Sequence, residues 1–365
     1  MTDAPPLLEV RDLTVSYPAS RPAPRPPRPP RGAASSPSPG RALVVRGLSY
    51  DVAQGEAVAL VGESGAGKST SQLALLGLLP EGARVERGAA RLRGRDLLTL
   101  SPRALRAVRG AEVGVVFQDA LASLNPYYRL RHQLVEAVPR GVGRHEAVAR
   151  ARAALRRVGL GDPARVLRAY PHELSGGMRQ RAQLAMVLLG GPALLIADEP
   201  TTALDVTSQA QVLALLRDLR EPSEPGGERA ALTLITHDLA VAATVADRIL
   251  VLYAGQLVEE APTPALFAAP AHPYTRALLA AIPRLDGPRR RRLPVPAPAA
   301  AAQPGPAPPA CAFAPRCPLA QPVCLEEPPP WRDVPASDAD AHGVGVSHAP
   351  AAASPHRARC HVEVP

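Results

Sequence analysis

One stretch constrains this chain more than any other: Glu56-Ala57-Val58-Ala59-Leu60-Val61 running into Gly62-Glu63-Ser64-Gly65-Ala66-Gly67-Lys68-Ser69-Thr70. A short apolar run ends at a glycine. After Gly67-Lys68-Ser69 a helical pattern begins at Leu73, Leu75, Leu76, Leu78 and Leu79. The spacing G-x-x-x-x-G-K-S between a strand and a helix is that of a phosphate-binding loop. Its glycines let the backbone bend so that successive N–H groups point at phosphate oxygens. The N-terminus of the helix adds partial positive charge there. Lys68 is expected to reach the β- and γ-phosphates, and the Ser69 hydroxyl to ligate Mg²⁺. The plainer alternative is a Gly-rich turn. Against it, Lys68 is the only lysine among 42 basic residues, and the rest are arginine. The single compact ammonium sits where a point charge suits phosphate.

At 365 residues the chain is one large domain or two, and 46% hydrophobic content supports a sizeable core. There is no apolar run long enough to span a membrane and no basic-then-apolar N-terminus, so a cytosolic chain with reduced thiols is expected. The net charge of +9 invites a nucleic-acid partner. Its location argues otherwise. Arg21, Arg25, Arg28, Arg31 and Arg41 give residues 18–41 a charge of +5, and residues 284–292 carry +4, so the remainder is neutral. A basic globular face for nucleic acid is not indicated; solvated, Pro-rich arms are.

Leu7–Tyr17 alternates like a strand, residues 18–40 read as a disordered Pro/Arg/Ser-rich insert, and Leu43–Val52 is a second strand. Such a pair predicts an antiparallel unit beside a parallel sheet. Further strands are expected at Val113–Phe117, Leu194–Ala197, Ala231–Thr236, Ile249–Tyr253 and Gln256–Glu260. Between them the pattern turns helical: after Ser101-Pro102, within Tyr127–Arg168, over Val206–Leu219 and over His272–Ile282. The expected class is α/β: a P-loop core with a mostly parallel sheet, an N-terminal antiparallel β subdomain and an inserted helical subdomain over about residues 119–190. Residues 1–283 form the nucleotide-binding domain in this reading, and residues 284–365 a C-terminal extension. Ligand groups sit at the carboxyl ends of parallel strands, and Gly62, Gln118, Asp198 and His237 each stand at such an end.

Asp198 closes the apolar run Leu194–Ala197 and is expected to share Mg²⁺ with Ser69. Glu199 beside it is placed to polarise an attacking water as general base. In isolation the pair is an ordinary acidic strand end. Leu174-Ser175-Gly176-Gly177-Met178-Arg179-Gln180-Arg181 opens the next helix upstream, with Ser175 as its cap. Two glycines at a helix N-terminus make a second anion device, or merely a capped helix. Two such devices serve one nucleotide only if two chains meet head to tail.

These motifs together resemble the nucleotide-binding subunit of an ATP-binding cassette (ABC) transporter, in order through most of residues 7–260. Gly62–Thr70 is similar to Walker A, Phe117-Gln118-Asp119 to the Q-loop, Leu174–Arg181 to the LSGGQ signature with Met178 in the glutamine place, Leu194–Pro200 to Walker B, Ala203-Leu204-Asp205 to the D-loop, and Thr236-His237-Asp238 to the switch histidine. The resemblance implies ATP and Mg²⁺ as ligands, with Gly62, Glu63, Ser64, Gly65, Ala66, Gly67, Lys68, Ser69 and Thr70 around the phosphates. It implies Gln118 as Mg²⁺ ligand and γ-phosphate sensor and His237 as γ-phosphate contact. Ser175, Gly176, Gly177 and Asp205 are implied across the dimer, and Tyr17 as the aromatic that stacks on adenine. Tyr50 is the substitute for Tyr17, although its strand setting suggests core packing.

The segments Leu121–Pro126, Ala271–Leu279 and Cys311-Ala312-Phe313-Ala314-Pro315-Arg316-Cys317 are similar to the oligopeptide/dipeptide/nickel importer branch. That branch implies a peripheral ATPase at the cytoplasmic face of a bacterial membrane. Its implied partners are a second ABC ATPase, two membrane permease subunits and an extracytoplasmic solute-binding protein. A nickel or other small-solute importer is the alternative cargo. A DNA-repair or chromosome-type ABC ATPase is disfavoured because only 55 residues separate Gln118 from Leu174, too few for a coiled-coil insert. A translation-type protein is disfavoured because it carries two cassettes.

The four cysteines, Cys311, Cys317, Cys324 and Cys360, all lie in the extension. Four thiolates meet the ligand count of Zn²⁺ or an iron–sulfur cluster, although the intervening five, six and thirty-five residues match no paired zinc spacing. Disulfides or unligated thiols are the alternatives. The importer tails with similar spacing imply a [4Fe–4S] cluster, with Zn²⁺ second. Nothing in the sequence links this tail to phosphate chemistry, so a structural or subunit-contact role is expected.

Overall fold

Apolar runs become buried strands and the amphipathic stretches cover them. The computed structural model describes residues 5–18, 40–118, 123–202, 205–221, 228–282, 310–335 and 355–362. Among these, twelve strands form two sheets: β1 (Leu8–Pro18), β2 (Arg41–Val52), β3 (Ala57–Val61), β4 (Arg84–Leu92), β5 (Arg95–Asp96), β6 (Val113–Val116), β7 (Leu194–Asp198), β8 (Ala231–Thr236), β9 (Arg248–Tyr253), β10 (Gln256–Pro262), β11 (Trp331–Asp333) and β12 (Arg357–Arg359). The smaller sheet is antiparallel, in the order β2-β1-β4-β5. The larger runs β11-β12-β10-β9-β3-β8-β7-β6. It is parallel from β6 to β9 and antiparallel from β9 to β11.

β3 lies between β8 and β9 and is buried along its whole length, which is why it reads as a continuous apolar run. Its side chains divide by strand alternation. Ala57, Ala59 and Val61 join the core under the helices, whereas Val58 and Leu60 join the core against the antiparallel sheet. The molecule is therefore three layers deep, with the parallel sheet in the middle.

The helical layer is built from Leu130–Glu136, Arg144–Arg157, Pro163–Arg168 and Gly176–Leu189. Arg144–Arg157 buries Ala147, Ala151, Ala154 and Leu155, one face at helical spacing. Asp162 caps Pro163–Arg168 by accepting from the Arg165 N–H at 3.0 Å, and Pro163 takes the first position, where its missing N–H costs nothing. No helix among the described residues is long and apolar enough to cross a membrane.

β1 and β2 pair as the alternation predicts, with Pro18 opposite Arg41 at the open end. The insert read as disordered, apart from its ends, falls outside the described residues. β4 has no counterpart in the sequence reading. Its Arg-Val-Glu-Arg-Gly start is mostly exposed and only Ala90 and Leu92 are buried, so it shows little alternation; pairing with β1 makes it a strand. The extension does not stand apart either. β12 pairs with β10 through Glu259↔Ala358 and Glu260↔Arg357, and β11 pairs with β12, so the tail widens the central sheet. Residues 283–309, between the cassette and this tail, are outside the description.

Candidate nucleotide site

The phosphate-binding loop follows β3. Two glycines show why it has its shape. A Cβ on Gly62 would lie 2.2 Å from the Leu252 carbonyl oxygen, because the loop turns directly over the end of β9. Gly67 has φ +93° and a Cβ there would meet the Val44 carbonyl at 2.7 Å. Gly67 is also the N-cap of helix Lys68–Leu75, and no side chain caps it, which leaves its first N–H groups directed to a ligand.

Lys68 is buried and donates from Nζ to the carbonyl oxygens of Gly62 (2.7 Å) and Glu63 (3.0 Å). Burial pushes its ammonium below the ordinary lysine range, while the Glu199, Asp198 and Glu63 carboxylates push the other way. Ser69 Oγ donates to Asp198 Oδ1 at 2.8 Å. Burial raises the Asp198 carboxyl above the usual range, and the Ser69 hydroxyl holds it back. A hydroxyl and a carboxylate oxygen in contact are hard oxygen donors of the type Mg²⁺ takes together with phosphates, so the pair fits that ion.

Glu199 gathers the remaining groups. Its backbone is in the left-handed region at φ +45° and its N–H donates to the Ile235 carbonyl at 2.9 Å, which turns the side chain out at the end of β7. Oε2 accepts from Gln118 Nε2 (3.2 Å) and Thr202 Oγ1 (2.9 Å), and Oε1 lies 3.3 Å from His237 Nδ1. Lys68, Ser69, Gln118, Asp198, Glu199 and His237, scattered over 170 residues of sequence, thus share one strand-end cluster. Thr202 was missed by the sequence reading; its position just after Asp198-Glu199-Pro200 was the available signal. Tyr17 reaches the same loop, its hydroxyl 3.5 Å from Thr70 Oγ1. Tyr50 is fully buried and accepts from Gln72 Nε2 at 2.7 Å, a core contact.

Ser175, Gly176, Gly177 and Asp205 are not drawn into this cluster. Ser175 caps Gly176–Leu189 through the Met178 N–H at 3.3 Å. Asp205 caps helix Val206–Arg220, accepting from Ser208 N (2.9 Å) and Oγ (2.7 Å), and the Ser208 hydroxyl holds its carboxyl below the usual range. No hydrogen bond or ion pair among the described residues joins these four to Lys68, Asp198 or His237. Asp119, Ala203 and Leu204 of the expected Q- and D-loops, and Leu121 and Ala122, lie outside the described residues.

One partner of the loop comes from the tail. Arg316 donates from Nη1 and Nη2 to the two Glu63 oxygens, both at 2.8 Å, and its guanidinium lies 5.6 Å from the Tyr253 ring centre and 5.8 Å from that of Phe313. The tail, for which a structural or subunit-contact role is expected, thus makes a side-chain contact with the phosphate-binding loop. Arg316 stood in the quoted Cys311–Cys317 segment, but its partner is 253 residues away and leaves no local trace.

None of the four cysteines is paired in a disulfide. The Cys311 N–H donates to the Cys324 carbonyl at 2.9 Å. Burial pushes the Cys311, Cys317 and Cys360 thiols up, and all three feel neighbouring cysteines: Cys324 acts on each of them, Cys317 on Cys311 and Cys360, and Cys311 on Cys360. Nevertheless, no group of three or more His, Cys, Asp or Glu side chains among the described residues is arranged to hold a metal ion. The thiols are neighbours but do not fit a [4Fe–4S] cluster or Zn²⁺ as they stand.

Comparison with known proteins bears on both regions. A family model for the ABC transporter matches residues 45–202, and one for the oligopeptide/dipeptide transporter C-terminal region matches residues 258–324. The dipeptide transport ATP-binding protein DppD of Escherichia coli K12 is 47% identical over 286 residues, 77% of this chain and 85% of that protein. The oligopeptide transport ATP-binding protein OppD of Mycobacterium tuberculosis is 46% identical over 333 residues, 90% of this chain; the chain spans about half (50%) of that longer relative. Among solved structures, a dimeric ATP-binding cassette in a post-hydrolysis state with ADP and phosphate shares the fold, with a TM-score of 0.57 at 24% identity over 70% of this chain and 98% of that one. The motifs, the strand-end cluster and these likenesses agree: the chain belongs to the ABC transporter ATP-binding family, in its oligopeptide/dipeptide branch.

Proposed function

We propose that this chain binds and hydrolyses ATP as the motor subunit of a peptide importer. The observation that carries the reading is the Glu199 carboxylate, held by Gln118, Thr202 and His237 beside the Ser69–Asp198 pair and Lys68. In this reading Gly62–Thr70 cradles the phosphates and the Lys68 ammonium, already directed into the loop, turns from backbone carbonyls to phosphate oxygens. Tyr17 packs on the adenine. Ser69 and Asp198, with Gln118 beside them, would hold Mg²⁺, which would supply neutralising positive charge to the phosphates. Glu199 orients and deprotonates the attacking water, and His237, hydrogen-bonded to it, faces the γ-phosphate.

Ser175, Gly176, Gly177 and Asp205 serve the nucleotide of a second cassette, a role compatible with the local capping contacts that Ser175 and Asp205 make in their own chain. Residues 1–283 act as the cassette and residues 284–365 as the extension. The names of the relatives favour a peptide cargo over nickel. The resemblance to that importer branch implies assembly with two permease subunits, an extracytoplasmic solute-binding protein and a second ATPase at the cytoplasmic face of a bacterial membrane. No step runs through the [4Fe–4S] cluster, or Zn²⁺, implied for Cys311, Cys317, Cys324 and Cys360. Iron, zinc and absorbance measured on anaerobically purified protein decide that point.

The test is Glu199→Gln. ATP affinity is expected to persist while hydrolysis falls by roughly 10²–10⁴-fold, with ATP-bound dimers accumulating. Near-normal turnover by the variant with its permease would contradict the role.

A further inference from the structure

Glu63 is gripped at three points. Its N–H donates to the Tyr274 hydroxyl at 2.8 Å, its carbonyl accepts from Lys68 at 3.0 Å, and its carboxylate takes the two-pronged Arg316 fork. The carboxylate is anomalous in its place. It belongs to the second residue of a loop built to receive a polyanion, and its charge is one of the three felt at the Lys68 ammonium. Left alone, it would repel a triphosphate and hold Lys68 toward itself. The guanidinium cancels that charge and fixes its direction, as only a planar bidentate donor can.

Arg316 is well placed for this because the tail holds it rigidly. Phe313, 2% exposed, meets the Tyr253 and Tyr274 rings at 5.2 and 5.4 Å between centroids. Tyr253 also accepts from Arg316 Nη1 at 3.2 Å. Further along, Arg357 and Arg359 pack on the Trp331 ring at 4.7 and 5.2 Å, and Arg357 pairs with Glu260 at 2.6 Å, which seats β11 and β12 on the sheet. The same Tyr253–Tyr274–Phe313 cluster therefore touches the loop backbone through Tyr274 and the loop carboxylate through Arg316.

We propose that Arg316 is a positioning residue for the phosphate-binding loop, which neutralises and orients Glu63 so that ATP affinity depends on the docking of the C-terminal segment. By linkage, bound ATP must in turn tighten the docking of the tail. The proposal rests on the nucleotide reading of the loop.

The test uses the full chain, a fluorescent ATP analogue with Mg²⁺, and low salt, where a partly exposed ion pair is least screened. Arg316→Gln should weaken binding about tenfold and raise KM in step, with kcat altered by less than about twofold. Glu63→Gln sets a reference affinity, and the double variant should match that reference instead of adding the two losses. Arg316→Lys, which keeps charge but not the fork, should fall between wild type and Arg316→Gln. Wild-type affinity in Arg316→Gln despite a lowered thermal midpoint would overturn the proposal and leave a mere staple. A double variant as weak as Arg316→Gln would also overturn it, because the loss would not pass through Glu63. If Arg316→Gln does not fold, unchanged affinity in Arg316→Lys overturns it. A wild-type chain that binds no ATP would sink the nucleotide reading and this one together.

Discussion

The phosphate-binding loop is held mainly by backbone: glycines pressed on carbonyls, a lysine bonded to two more, and a bare helix end. The C-terminal segment, seated against it, is held mainly by side chains: an aromatic cluster, two arginines on a tryptophan, and ion pairs to β10. The first arrangement needs particular residues at fixed short spacing. The second needs only suitable surfaces to meet, from positions far apart in the chain. The loop should accordingly fail sharply at single residues, and the tail should fail in proportion to the packing removed.

The largest effect is expected at Lys68. Lys68→Ala should abolish measurable ATP binding, and Lys68→Arg should restore little of it, because a planar fork does not fit where a compact ammonium is buried under the loop. Equilibrium titration checks both. Full activity of Lys68→Arg would blur the contrast, since the loop would then tolerate a change of geometry.

Next is Phe313→Ala. Removing a buried ring that packs against both Tyr253 and Tyr274 should cost about 3–5 kcal/mol of stability, read by denaturant unfolding. A cost under about 1 kcal/mol would mean that the tail is only loosely seated.

A smaller effect should appear with pH. His272 is buried at the tail-facing edge, its Nδ1 accepting from the Tyr274 N–H at 3.1 Å, and burial pushes its pKa down to about 4. The depressed value means that the unfolded chain takes up a proton which the folded chain refuses between roughly pH 6.5 and 4. Stability from this group is complete above that window. It is lost on acidification by at most about 1.4 kcal/mol per pH unit. His272→Gln should flatten that slope; an unchanged slope would remove His272 from the account.

The smallest effect concerns residues 19–39. Pro18 and Arg41 are register partners, so the ends of this insert already adjoin. Replacing it with a short turn should change stability by no more than about 1 kcal/mol and leave ATP affinity unaltered. A large loss would reveal a contact to the rest of the fold.

The parallel sheet was legible because burial on both faces imposes continuous apolar runs, and Ala231–Thr236 could be bounded to the residue. The strand-end cluster was legible because Gly62, Gln118, Asp198 and His237 each follow such a run. β4 was not, since its exposed arginines hide a strand made by pairing alone. Nor were β11 and β12, three residues each, too short to carry a period. Arg316 escaped for a related reason: it is defined by its partner Glu63, and a partner 253 residues away leaves no mark in neighbouring sequence, whereas Thr202, three residues after Glu199, lay within reach of the acidic strand end. The cysteines gave a ligand count but not the geometry a metal requires.

If loop and tail form one unit, a ligand at the first must be felt at the second. Hydrogen exchange of the full-length Glu199→Gln chain, with and without Mg²⁺ and ATP, tests this most directly. The account predicts slowed exchange at Glu63–Ser69 and, in the same titration with the same midpoint, at residues 311–317. Protection confined to the loop, with 311–317 unchanged at saturating ATP, would contradict it.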